Sequence, residues 1–123
     1  MAQRPEEVVD AYLKAIGDRD FARGRLFLAD EGFRFRSPVY RLDSADEFVS
    51  TFWGVESILD SIRVEKRFVD GHDILDILEF RVQISEPQST WVVHWATVEG
   101  DRITTIRAYF DAAGYAEMFP TDE

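Results

Sequence analysis

The chain has 123 residues, enough for one domain that buries roughly two-thirds of its unfolded surface and needs no covalent staples. It has no cysteine, which excludes disulfides, thiolate nucleophiles, zinc–thiolate sites and iron–sulfur clusters. Asp and Glu number 24 against 14 Lys and Arg, a net charge of −10 that repels phosphate backbones and anionic membranes, so neither nucleic acid nor a membrane is an expected partner.

The elements begin at Pro5, a favoured first helical position, with Glu6 and Glu7 in the first turn. Val8, Val9, Tyr12, Leu13 and Ile16 recur at helical spacing and form one apolar stripe, and Gly17 is expected to end the helix. Asp20 caps a short second helix carrying Phe21, Leu26, Phe27 and Leu28. After Gly32, Phe33-Arg34-Phe35-Arg36-Ser37 alternates as a strand that Pro38 stops, with Phe33, Phe35 and Ser37 inward. Ser44-Ala45-Asp46-Glu47 is a capping box that opens a third helix, with Phe48 and Phe52 on its buried side and Gly54 at its end.

Four strand-like runs follow over 58–69, 73–84, 89–99 and 102–111. Asp70-Gly71 and Glu99-Gly100-Asp101 mark hairpin turns, and Glu86-Pro87 belongs in the loop between them. Asp111 is expected to cap a short C-terminal helix over 112–119. No linker, repeat or low-complexity run interrupts the chain, so 1–123 reads as a single domain. Helices first and strands later is the order of an α+β fold. No stretch approaches the ~20 apolar residues of a membrane span. Met1-Ala2-Gln3-Arg4-Pro5 carries no apolar signal core, and a cytoplasmic location is expected.

One residue stands out chemically. In Trp91–Val98 a two-residue period puts Val92, His94, Ala96 and Val98 on one face. A titratable ring among small apolar side chains needs a partner, a water or a ligand, so His94 marks a candidate site. Asp76 is in phase with Ile74, Leu78 and Phe80, where an inward carboxyl would suit acid catalysis. The opposite faces of the same strands carry Trp91, Trp95 and Tyr109, an apolar patch expected to pair two copies of the chain as a homodimer. Asp70-Gly71-His72-Asp73 is a tight turn without a second histidine, so no metal is expected. Phosphate-cradling glycine loops, a nucleophile elbow and a dinucleotide fingerprint are missing, and no cofactor is expected.

Three N-terminal helices before a curved antiparallel sheet resemble the nuclear transport factor 2-like superfamily, over about Pro5 to Phe119. The carriers are Ala11-Tyr12-Leu13 with Asp20 eight residues past the tyrosine, Phe35-Arg36-Ser37-Pro38, Phe80-Arg81-Val82, and Ile103 leading to Ala108-Tyr109-Phe110-Asp111. Within it the chain is most similar to the SnoaL-like group. The resemblance implies a cone: the sheet, mostly antiparallel, wraps the three helices around an apolar cavity, with a short C-terminal helix. In ketosteroid isomerases a first-helix tyrosine and a protonated late-strand aspartic acid form an oxyanion hole, and an aspartate before a proline is the base. Tyr12 matches the tyrosine, His94 falls at the acid, and Ser37, before Pro38, falls at the base. A serine hydroxyl is too weak a base near neutral pH, so steroid isomerisation by that route is not expected. Limonene-type epoxide hydrolases share the Tyr109-Phe110-Asp111 ending, but their Arg-x-Asp spacing is Arg81-x-Gln83 here, and the second carboxylate is missing.

The expectation is a small-molecule pocket protein for a largely apolar, carbonyl-bearing ligand, acting as a cofactor-independent acid–base enzyme of isomerase, cyclase or lyase type if it turns over at all. Phe35, Phe52, Phe80, Val82, Ile106 and Phe110 would form the walls, with Ser37 at the opening. His94 and Tyr12 would hold the ligand oxygen, and a base would come from His94, Asp76 or Asp111. The alternatives are a non-catalytic homodimeric module whose cone is filled by its own rings, and an epoxide-hydrolase-like enzyme using Asp111.

Overall fold

Two helices open the chain, two short strands precede the third helix, and the four long strands follow it. The computed structural model describes residues 4–55, 57–83 and 86–111. The helices are α1 (Pro5–Gly17), α2 (Phe21–Arg25) and α3 (Ala45–Phe52), the last running on into a 3-10 turn at Trp53–Val55. The strands are β1 (Arg34–Arg36), β2 (Arg41–Leu42), β3 (Leu59–Asp70), β4 (Asp73–Gln83), β5 (Pro87–Glu99) and β6 (Arg102–Tyr109). They form one curved sheet in the order β2-β1-β6-β5-β4-β3, antiparallel throughout except where β1 runs parallel to β6.

Helix α1 starts at Pro5 because proline has no N–H to leave unsatisfied in the first turn. It stops in a Schellman motif: Asp20 N–H donates to Ala15 O at 2.9 Å and Arg19 N–H to Ile16 O at 3.0 Å. The helix ends at Gly17 as expected, and the left-handed residue of that motif is Arg19, at φ 62°. Asp20 caps α2 by accepting from Arg23 N–H at 3.0 Å. That helix is shorter than its apolar spacing suggested, because Leu26 is 62% exposed and only Leu28 turns fully inward, bridging Ile103. Ser44 Oγ accepts from Glu47 N–H at 3.0 Å, which is half of the predicted capping box.

Two-residue loops at Gly71-His72 and Gly100-Asp101 close the β3–β4 and β5–β6 hairpins. Both glycines have positive φ (60° and 64°), as the first loop residue of a II′ turn requires. Pro87 opens β5 and is not in the loop; the first position of a strand tolerates its missing N–H. The two-residue β2, which pairs with β1, had no signal in the alternation of the sequence. Ile84 and the C-terminal helix over 112–119 lie outside the described residues.

The apolar stripe of α1 (Val8, Val9, Tyr12, Leu13) packs on the concave face of the sheet against Ile74, Leu78, Ala96, Val98, Ile106 and Ala108. Phe33, Phe35 and Phe48 stack at one side, with ring centroids 4.8–5.5 Å apart where Phe48 meets the other two. Among the described residues no helix is long and apolar enough to cross a membrane.

Candidate functional site

His94 is placed as its phase demands. It is buried at 7% exposure on the concave face of β5, flanked by Asp76 of β4 and Ala108 of β6 in register. It borders a cavity of about 160 Å³ between α1, α2, α3 and the sheet. The cone is therefore not filled by its own rings. Of the seven residues expected to bind a ligand, Phe35, Phe52, Phe80, Val82, Ile106 and Phe110 line this cavity.

Ser37 does not. Its Oγ accepts from the N–H groups of Val39 (3.2 Å) and Tyr40 (3.0 Å), a side-chain-closed turn that takes the hydroxyl away from the opening. Asp111 is exposed and is not on the cavity wall, although its neighbour Phe110 is. Arg81 and Gln83 are exposed as well, so the arginine and carboxylate of an epoxide-hydrolase constellation are not brought together at the cavity by these positions.

Tyr12, on the buried stripe of α1, stacks on His94 with centroids 6.2 Å apart and planes 26° from parallel. Burial pushes its phenol pKa upward, so it stays a neutral donor. Burial also pulls His94 down to about 4, against the neighbouring Asp76 charge, which raises it; Arg67 lowers it further. The imidazole is neutral at pH 7. Neither ring nitrogen is bonded to another residue among the described ones; a hydrogen bond to the backbone of His94 itself also raises its pKa, and Nδ1 is sealed from solvent.

Asp76 points inward as its phase predicts, and it is completely buried. It is no free acid at the cavity wall. Arg67, its register partner on β3, takes both of its oxygens: Nε donates to Oδ1 at 2.6 Å and Nη2 to Oδ2 at 2.9 Å. The remaining nitrogen, Nη1, lies 2.7 Å from Asp10 on α1. Arg67 was invisible to the alternation argument because the β3 register skips Glu65, and that bulge turns Arg67, not Lys66, inward.

Other lining residues that alternation left out come from helices or sit one pleat further along: Phe48, Val49, Leu78, Val92 and Ala108. Their signal was present in the phase of Phe80 and His94. Among the described residues Arg25 is the only ion-paired side chain on the wall, bonded to Asp46 at 2.8 Å and Asp30 at 3.1 Å. On the opposite face of the sheet Trp91 and Tyr109 are about half exposed (52% and 51%). Trp95, in register with Arg107 on the same face, donates to Asp73 at 3.0 Å and carries the Arg107 guanidinium 4.3 Å above its ring.

No family model and no curated protein matches the chain. Solved structures do match. An NTF2-like protein of unknown function from Cytophaga hutchinsonii superposes with a TM-score of 0.80 at 16% identity, covering 94% of this chain and 96% of that one. A protein from Kribbella flavida gives a TM-score of 0.79 at 26% identity over 90% and 89%. An LEH-like epoxide hydrolase from M. tuberculosis gives 0.78 at 19% identity over 98% of both chains. The fold is thus the nuclear transport factor 2-like cone.

Proposed function

We propose that this nuclear transport factor 2-like chain binds one small, uncharged, largely apolar molecule and holds its single oxygen against His94 and Tyr12. The observation that carries the reading is a neutral imidazole with no protein partner on the wall of an otherwise apolar cavity. Buried polar groups are nearly always satisfied; Nδ1 is sealed, so the ring nitrogen that a ligand in the cavity would satisfy is Nε2.

Size and charge narrow the class. A dry void of about 150 Å³ accepts benzene, so about 160 Å³ suits a single six-membered ring. Charge inside it would go unmatched, because Arg25 already serves Asp46 and Asp30, and Arg67 serves Asp76 and Asp10. A cyclic ketone fits these terms. The chemistry on offer is polarisation of its carbonyl: two neutral donors in a water-poor cavity stabilise a developing enolate by several kcal/mol if both reach it. Proton abstraction asks for a base whose pKa lies nearer the working pH than about 4. The reading is therefore a binding pocket with carbonyl-activating potential, ahead of a complete acid–base enzyme.

Cyclohexanone, methylcyclohexane, benzoate and cyclohexylamine titrated into the protein by NMR test it. The ketone should bind, the two ions should not, and His94→Leu should weaken the ketone about tenfold, one hydrogen bond's worth, while sparing the hydrocarbon. Equal ketone affinity in wild type and variant would remove His94 from the site. A second copy on the outer sheet face is the partner favoured by the half-exposed Trp91 and Tyr109 and the exposed Phe68.

A further inference from the structure

Asp76 and His94 are direct cross-strand partners on one face of the sheet, a spacing at which a carboxylate ordinarily accepts the imidazole Nδ1 proton. Here it does not. Both Asp76 oxygens are taken by Arg67, and His94 Nδ1 is buried with nothing to bond. We propose that Arg67 is a positioning residue for the pocket: by holding both oxygens of Asp76 in its fork it turns the carboxylate away from Nδ1, places the ring proton on Nε2, and so makes His94 a hydrogen-bond donor toward the ligand.

Tautomer choice follows from what each nitrogen can find. A sealed N–H with no acceptor is among the rarest unsatisfied groups in proteins, whereas a sealed acceptor without a donor is better tolerated. Nδ1 is the sealed atom, so the proton belongs on Nε2, the other ring nitrogen. The ligand must then present an acceptor, such as a carbonyl, ether or epoxide oxygen, and a ligand that is only a donor is disfavoured.

The charges around the ring agree. β4 contributes Asp76, β3 contributes Arg67, and α1 contributes Tyr12 and, on the far side of Arg67, Asp10. β6 places the uncharged Ala108 in register, and α2 brings Arg25 to the same cavity, already paired. Among the described residues Asp76 is the carboxylate beside the ring, and Arg67 is the cation that holds it. A lysine in its place would offer a point charge with no fork, leaving one oxygen of Asp76 able to turn to the ring.

The inference takes the cavity at His94 as the ligand site, but its test needs no ligand, so failure here and failure of the ketone titration are separate results. Long-range proton–nitrogen spectra of the 15N-labelled protein report the state of each ring nitrogen, with His94→Leu assigning the signals against His72. Wild type should show a bare Nδ1 and a protonated Nε2 at pH 7. In Arg67→Met the Nδ1 signal should become that of a protonated nitrogen, and the His94 midpoint should rise by about one pH unit or more. Arg67→Lys should fall between, and it carries the comparison if Arg67→Met does not fold. A protonated Nδ1 in wild type, or His94 signals unchanged in a folded Arg67 variant, would overturn the proposal. A merely structural Arg67 would lower the melting temperature in both variants and move neither nitrogen.

Discussion

The burial of a neutral imidazole must appear in the acid stability of the protein, and His94→Leu isolates it. The unfolded chain titrates this histidine at 6.5, the folded one at about 4. Between those values the unfolded state binds the proton and the folded state does not, so stability rises with pH through this window and falls as the solution is acidified. The linkage integral is about 0.2 kcal/mol at pH 7, about 2 kcal/mol at pH 5 and about 3 kcal/mol at pH 4. Leucine has a similar volume and no charge to acquire, so the variant escapes this loss. Carboxylates also titrate toward pH 4, but they are common to both proteins and cancel in the difference. Urea unfolding at pH 7, 6 and 5, at one protein concentration, gives each stability from its midpoint provided the slope is unchanged. Wild type should lose about 2 kcal/mol more than His94→Leu between pH 7 and pH 5. Parallel losses would mean that the ring is solvated or paired in solution, and the neutral-donor reading would go with it.

Two further outcomes follow from the geometry. Arg19→Gly should stabilise the protein by about 1 kcal/mol, read as a higher melting temperature, because the Schellman position at φ 62° strains every residue with a Cβ; no change would mean that the Arg19 side chain offsets the strain. Trp91→Glu combined with Tyr109→Glu should convert a dimer to a monomer in light scattering, because both side chains stand half exposed on the outer face; an unchanged mass would place the pairing surface, if there is one, elsewhere.

The layout was legible where one rule acted alone. The helical spacing of Val8, Val9, Tyr12 and Leu13 and the two-residue period through His94, Ala96 and Val98 each had a single cause, and each residue is buried as expected. The aromatic walls were legible for the same reason. Misreadings cluster where a local hydrogen bond or an irregularity competes with periodicity. Ser37 has the right phase for an inward residue, but two backbone N–H groups three residues or fewer away claim its hydroxyl first. Asp76 has the right phase and is inward, yet its partner lies nine residues away across a hairpin whose register no local pattern discloses.

The bulge at Glu65 ties these points to the site. With unbroken alternation, Ile62 and Val64 inward would make Lys66 the next inward residue and put Arg67 in solvent. Asp76 would then face a lysine, or nothing, in a layer it enters with no exposure at all. A buried carboxylate without its fork costs several kcal/mol, and the nearest remedy is the imidazole beside it. One unpaired residue on an edge strand thus decides whether the carboxylate bonds to an arginine or to the histidine. With it goes whether the cavity wall carries a neutral imidazole or a charged pair. The bulge acts through two steps of side-chain contact, from Arg67 to Asp76 and from Asp76 to His94, and each step is a register pair of the same sheet. On the proposed reading, ligand polarity in this cone is set from the sheet edge, by a residue that is not on the cavity wall.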